Sequence, residues 1–372
     1  MLYSSFGNTG LTISRIGFGG MRFENPADTE AMAEIVYHAF ERGITYFDTA
    51  PTYCDDYSET IMGIAVKEMQ KTQKPFYLSS KTMAADPDAV RRQCETSIER
   101  LHVDALDFYH VWCLVQPEDL GKRKAKGVLR AFRQLKEEGL VRHISVSTHL
   151  EHQYVEAMLE EGEGLFESML IGLNLQNYHL RKEGVRAAAD RGLAVVTMNT
   201  LGGGVLTEHE KHFRHVTDAS QRTMVHTALH FNLSVPGVTT ALVGFRNKAD
   251  VDDAVAALDS YTPMDQQAID SLTETMSSSY KEYCTQCGYC RDCPEHIPVV
   301  RMMEAYNFSL MDAPGTALRH LKYHWNITDV EDVLAACTQC RQCEAECTQQ
   351  LPILDRFEAL KEAQRQGLGK EE

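Results

Sequence analysis

Between about residue 15 and residue 275 the chain alternates between short apolar runs and longer amphipathic ones, and few architectures accept that rhythm. The short runs are IGFG (16–19), ITYFDT (44–49), FYLSSK (76–81), ALDFYHVW (105–112), RHISVS (142–147), MLIGLNLQ (169–176), LAVVTM (193–198) and TTALVG (239–244). Between them lie helical stretches such as TEAMAEIVYHAFERG (29–43) and PDAVRRQCETSIERL (87–101). In the latter, Val90, Cys94, Ile98 and Leu101 recur at helical spacing. Gly43 and Gly139 fall where helix C-caps belong. Eight such strands predict an α/β fold, a closed (β/α)8 TIM barrel. An open doubly wound sheet is the alternative, but no G-x-G-x-x-G follows the first strand. Barrel active sites lie at the C-terminal ends of the strands. Asp48, Lys81, Ser147 and Gln176 all fall there.

After about residue 276 the strand patterns stop. The chain of 372 residues therefore divides into a barrel (1–276) and a small, mainly helical domain (277–372). In the second domain two cysteine runs flank a helical segment (299–336), and the closing KEAQRQGLGKEE reads as a solvated tail. The N-terminus lacks a basic stretch followed by an apolar one, so no signal peptide is expected and the cytoplasm is the expected location. Eight of the eleven cysteines crowd into the two runs, which without export favours metal binding over disulfides. Cys54, Cys94 and Cys113 are scattered and read as structural. A net charge of −16 repels phosphate backbones and anionic lipid, so neither nucleic acid nor a membrane is an expected partner. No apolar run is long enough to span a bilayer.

The segment FDTAPTYCDDYSETIMG (47–63) resembles the D-T-A-x-x-Y-G-x-x-x-S-E-x-x-x-G signature of the aldo-keto reductase family, through Asp48, Tyr53, Ser58, Glu59 and Gly63. FGNTGLTISRIGFGGM (6–21) is similar to that family's opening, and SSKT (79–82) to the strand bearing its catalytic lysine. The resemblance covers roughly residues 1–260 and implies carbonyl reduction with NADP(H) or NAD(H). The residues fit that chemistry. Hydride transfer to a carbonyl needs a proton donor where charge develops on oxygen. A tyrosine titrates near ~10, and a neighbouring ammonium lowers that value. Tyr53 is then the acid, Lys81 its modulator and Asp48 the partner of the lysine.

Several positions depart from the family pattern. Where the family carries a substrate-orienting histidine, this chain has Trp112, and the histidine of that strand is His110. Residues 110 and 112 share a strand face, with His110 one layer deeper, either to assist catalysis beside Trp112 or to stand as a satisfied core histidine. Within the family, replacement of that histidine accompanies changed chemistry, including C=C reduction. Ser147 and Gln176 match residues that hold the nicotinamide carboxamide, while Thr148 and Met198 replace an asparagine and a stacking aromatic. Leu201, Gly202, Gly203 and Gly204 resemble the loop over the pyrophosphate. Gly244, Arg246 and Lys248 lie where the family binds the adenosine end. The two cations are placed either to meet a 2′-phosphate or to stand as solvated surface charges, and Ala254 replaces an asparagine.

The cysteine runs are Cys284-x2-Cys287-x2-Cys290-x2-Cys293-Pro and Cys337-x2-Cys340-x2-Cys343-x3-Cys347. Both resemble the bacterial ferredoxin motif, in which the fourth cysteine of each run ligates the other cluster. The resemblance implies two [4Fe–4S] clusters, one on Cys284, Cys287, Cys290 and Cys347, the other on Cys337, Cys340, Cys343 and Cys293. The first run has x2 where x3 is usual, and no proline follows Cys347 directly. Two all-cysteine zinc sites are the alternative, although zinc sites usually split their ligands into separated pairs.

The whole resembles a branch of aldo-keto reductases with a ferredoxin-like C-terminal domain. The leading expectation is an NAD(P)-linked oxidoreductase acting on a small-molecule carbonyl or activated C=C, with clusters that exchange electrons with the barrel site or with an electron-transfer protein. Hydride carries two electrons and a cluster passes one, so coupling them calls for a flavin-like splitter, for which no motif is present. Two other readings stay open: a docking and electron-carrier protein with an inert barrel, and an ordinary reductase with purely structural clusters.

Overall fold

The apolar runs become strands, and their order closes a ring. A computed structural model describes residues 1–208, 210–213, 223–280, 282–285 and 287–369. The chain divides into two compact units, Met1–Gly202 with Arg214–Ser278, and Gly203–Phe213 with Ser279–Glu372.

In the first unit, β1 (Tyr3–Ser5) and β2 (Thr12–Ser14) form an antiparallel hairpin. The remaining strands are β3 (Ile16–Gly19), β4 (Tyr46–Asp48), β5 (Tyr77–Thr82), β6 (Leu106–Leu114), β7 (Val141–Thr148), β8 (Ser168–Gly172), β9 (Ala194–Met198) and β10 (Val238–Gly244). These pair in parallel in the order β10-β3-β4-β5-β6-β7-β8-β9, a closed barrel. The register sets Asp48 beside Ser79, Lys81 beside His110, and His110 beside Ser145.

The sequence gives no signal for the β1–β2 hairpin, whose three-residue strands are too short for a periodicity to show. It delivers Phe6 and Ile13 into an apolar cluster with Tyr46, Phe108, Leu170, Ala194, Val196 and Leu242. The Phe6 ring lies 4.8 Å from that of Phe108 and 5.7 Å from that of Tyr46. The barrel is thus filled with side chains and is no pore.

The helices start where side chains can cap them. Asp86 accepts from the Ala89 N–H at 2.9 Å ahead of helix Pro87–Leu101, with Pro87 in the first turn. Such a cap contributes about 1 kcal/mol. Val90, Cys94 and Leu101 of that helix are buried, joined by Ser97, while Ile98 is half-buried. Gly43 follows helix Thr29–Glu41 at φ +93°, a conformation that glycine adopts without strain.

The second unit has no strand among the described residues. Its C-terminal stretch carries helices Val299–Met311, Pro314–Trp325, Val330–Leu334, Gln342–Ala345 and Ile353–Arg365. They share a core of Met302, Met303, Leu321, Leu334, Phe357 and Leu360, and Cys284 and Cys347 belong to it. The expected solvated tail begins later than the sequence implies, although most of its described residues are exposed or half-buried. Helix Ile353–Arg365 runs into it, Ala363 is buried, and the Gln364 side chain accepts from the Val330 N–H at 2.7 Å. Residues 370–372 lie outside the described residues. Among those described, no helix is long and apolar enough to cross a membrane.

Candidate functional site

Alternation on β4, β5 and β6 aims Asp48, Ser79, Lys81 and His110 at one another. Lys81 Nζ donates to Asp48 Oδ2 at 2.6 Å and to the Thr49 carbonyl at 2.7 Å. Ser79 Oγ donates to Asp48 Oδ1 at 2.9 Å and lies 2.9 Å from His110 Nε2. Lys81 and His110 are fully buried and Asp48 nearly so. Burial drives Lys81 down and Asp48 up, and their contact opposes both shifts by favouring the ion pair. Burial, with the Lys81 charge adding, lowers His110 to about 3, so this imidazole is neutral around pH 7.

Tyr53 sits on the loop after β4, where Cys54, Asp55 and Asp56 take φ values of +52°, +53° and +71°. Three consecutive non-glycine residues in the left-handed region need outside support. Ser58 supplies it. Its Oγ donates to the Gly20 carbonyl at 2.7 Å and lies 2.7 Å from Thr49 Oγ1, and its N–H donates to the Tyr53 carbonyl at 3.2 Å. Glu59, wholly buried, accepts from Ser80 Oγ at 2.7 Å and pairs with Arg100 at 3.4 Å. A Cβ on Gly63 would fall 2.0 Å from the Arg100 carbonyl oxygen, so only glycine lets the two helices meet. The serine, glutamate and glycine of the 47–63 segment thus hold the loop and its helix in place.

Tyr53 is 7% exposed. The Lys81 ammonium stands 4.7 Å from its ring centroid, and the Trp112 indole meets the ring edge-on at 5.6 Å. The expected lowering of the Tyr53 pKa is absent. Burial pushes the phenol well above its ordinary value, and the Asp48 carboxylate adds to this. The physical reason is the burial of the phenol, which the ammonium, already paired with Asp48 at 2.6 Å, does not outweigh.

His110 lies beneath this rim, bonded to Ser79, and Trp112 is the residue beside Tyr53. The β6–β7 register shifts between Val111 and Leu114, and Cys113 takes φ +60°. That irregularity re-aims the strand end. Arg123 holds it by donating to the Trp112 carbonyl at 2.6 Å.

The nucleotide positions fare unevenly. Ser147, on β7, is fully buried, and its hydroxyl has no partner among the described residues, as a waiting ligand contact would require. Gln176 follows β8 in a turn fixed by Asn174, whose Oδ1 accepts from the Gln176 N–H at 2.9 Å. Thr148 donates to the Leu114 carbonyl at 3.2 Å, a structural use. Met198, half-buried, packs against the barrel's apolar cluster. Leu201 precedes the 3-10 turn Gly202–Gly204, whose glycines take φ +62°, +73° and +104°. At Gly203 a Cβ would fall 2.1 Å from the Thr285 carbonyl oxygen, so close packing also requires a glycine here. Its missing side chain admits the first cysteine run. A Cβ on Gly244 would meet Arg22 Cγ at 2.5 Å. Lys248 pairs with Glu34 at 2.9 Å and Arg246 with Asp250 at 3.5 Å, so both cations are drawn into surface pairs and a 2′-phosphate would have to compete.

In the second unit, Cys284, Cys287, Cys290 and Cys347 line one cavity. Burial pushes Cys290 up to about 12, with Cys287 and Cys347 adding. Cys343 rises to about 11 through burial, and Cys293 and Cys337 are its thiol neighbours. Cys284, Cys287, Cys290 and Cys347 thus gather in one place, Cys293 and Cys337 stand near Cys343, and Cys340 is exposed. Such thiols ionise together only on a metal centre. The scattered Cys94 is buried and pushed up to about 12, an inert core thiol.

A model of the aldo/keto reductase family matches residues 15–275, and one of the 4Fe-4S dicluster domain matches residues 280–351. The chain belongs to the aldo/keto reductase family. An L-galactose dehydrogenase of Arabidopsis thaliana is 25% identical over 298 residues, 72% of this chain and 92% of that protein. An aldo-keto reductase of Bacillus subtilis is 32% identical over 162 residues, 40% of this chain and 47% of its own length. The solved holo form of an aldo-keto reductase from Bacillus halodurans shares the fold, with a TM-score of 0.63, 20% identity and cover of 73% of this chain and 96% of that one.

Membership makes this aldo/keto reductase an oxidoreductase for a small-molecule substrate, and it carries an iron–sulfur domain. Reading its sequence missed Ser79, the bridge between Asp48 and His110, although Ser79 lies two residues before Lys81 and so on the same strand face. Arg123 carries no such signal, since its role depends on a bulge that sequence does not announce.

Proposed function

We propose that the barrel site reduces the carbonyl of a small-molecule substrate, or an activated C=C, with a nicotinamide dinucleotide. We further propose that residues 277–372 hold two [4Fe–4S] clusters, on Cys284, Cys287, Cys290 and Cys347 and on Cys293, Cys337, Cys340 and Cys343, which exchange electrons with the barrel site or a protein partner. The observation that carries the reading is Tyr53 beside the buried Lys81–Asp48 pair at the strand C-termini.

A bound nicotinamide supplies the hydride that the carbonyl carbon accepts, and Ser147 with Gln176 would hold its carboxamide. The Tyr53 hydroxyl donates a hydrogen bond to the carbonyl oxygen and gives up its proton as that oxygen gains charge. A phenol raised above its usual pKa still suffices, because an alkoxide is a far stronger base than a phenolate. Lys81 has three N–H donors and spends two on Asp48 and Thr49, which pins its charge beside the ring to stabilise the tyrosinate left behind. A solvent proton then restores Tyr53. Trp112 walls the ring and replaces a histidine donor by an indole. Bound clusters supply single-electron transfer.

The test uses protein purified without oxygen. Saturable quenching of its fluorescence by NADPH or NADH, followed by nucleotide oxidation that depends on an added aldehyde or ketone, is expected. Absence of binding for both nucleotides, or a tightly held flavin in their place, would overturn the reading.

A further inference from the structure

The second unit buries one guanidinium that none of the chemistry above uses. Arg356 lies on the first turns of helix Ile353–Arg365 and is 2% exposed. Its Nη2 donates to the Glu282 carbonyl at 2.6 Å, and the guanidinium stacks 4.8 Å over the Tyr306 ring. Glu282 precedes Cys284 by two residues, so this bond ties the helix to the first cysteine run. The Glu282 carboxylate stands 3.7 Å away but is 60% exposed, a solvated and weak counter-ion. Arg356 Nη1 is buried and has no hydrogen-bond partner among the described residues. Cys284 and Cys347 both act electrostatically on the guanidinium. A buried cation with a spare donor beside two thiols calls for an anion. A four-thiolate cluster is one, and each electron it takes up adds a further negative charge.

Two more polar groups adjoin the same thiols. The Leu351 N–H approaches Cys347 Sγ at 3.4 Å, and Thr348 Oγ1 lies 3.3 Å from Cys287 Sγ. The other set has the exposed Cys340, and Cys343 has the Glu344 carboxylate beside it.

We propose that Arg356 is a fixed cation that raises the reduction potential of the cluster on Cys284, Cys287, Cys290 and Cys347, offsetting its burial, so that electrons entering at the more exposed cluster settle on this one. Charge and hydrogen bonds to the sulfurs are the levers by which a protein sets such potentials. The proposal rests on the ligand assignment above, and the experiment separates the two. Iron and sulfide are counted in the full chain, and the two cluster signals are followed by EPR during a redox titration.

Arg356→Gln is expected to keep its iron while one cluster becomes at least tenfold harder to reduce, about 59 mV for one electron. Arg356→Lys, which keeps the charge, is expected to titrate close to the parent. Full iron with both potentials unmoved in Arg356→Gln overturns the role of Arg356 and leaves the ligand assignment standing. A parent protein without iron overturns the assignment itself. Should Arg356→Gln lose its clusters, retention in Arg356→Lys supports a requirement for charge. Loss in both overturns the proposal in favour of a packing role.

Discussion

Tyr53→Phe is expected to lower turnover by roughly 100- to 10,000-fold, the span that a positioned acid contributes, while nucleotide affinity stays within about twofold. The change removes one oxygen and leaves the ring between the Lys81 ammonium and the Trp112 indole, so the loop has no reason to move. The pH profile provides an independent check. A phenol held well above its ordinary value keeps its proton through neutrality, so any alkaline loss of rate due to Tyr53 begins above pH ~10. His110, held near 3, contributes no limb between pH 5 and 8. Steady-state kinetics of the variant and the parent across pH decide this. Undiminished turnover in the phenylalanine variant would show that the barrel does not use Tyr53 as its acid.

The second large effect concerns iron. Anaerobic chelation, or Cys347→Ser, is expected to melt the second unit while the barrel stays folded. Cys284 and Cys347 are part of the hydrophobic core around Met302, Leu321 and Phe357, so losing a cluster opens that core. A core this small, under helices of thirteen residues or fewer, supplies only a few kcal/mol, roughly 3–5, by itself. Metal binding energy is then folding energy. Circular dichroism should lose part of the helical signal in step with iron content, and thermal melting should split into two transitions. Unchanged helicity and a single unshifted transition after complete iron loss would show the clusters to be dispensable to the fold.

Sequence and structure agree best where burial dictates the residue type. The eight barrel strands are legible because runs such as IGFG and LAVVTM are buried in nearly every position. Asp48, Lys81 and the cysteine runs are legible because their spacing is set by the chemistry they share. The β1–β2 hairpin is illegible because its information is one aromatic, Phe6, whose partners lie far along the chain. Ser79 is masked by the commonness of serine. The shift at Tyr53 is illegible for a deeper reason: its sign is set first by how deeply the phenol is buried and then by the nearby Asp48 carboxylate, and sequence shows neither. Gly203 reads as a phosphate-loop glycine, and only the structure shows the Thr285 backbone packed against it. The end of the chain reads as tail because helix Ile353–Arg365 buries only one small residue, Ala363, beyond position 360.

The most direct measurement is label transfer. Anaerobic protein is given an aldehyde and nicotinamide dinucleotide carrying deuterium at the hydride position of the ring, and the product is analysed by mass spectrometry and NMR. Deuterium on the carbinol carbon, with solvent hydrogen on the oxygen, is the expected result. Product formed with solvent hydrogen on that carbon, at a rate that tracks cluster reduction, would contradict hydride chemistry at Tyr53.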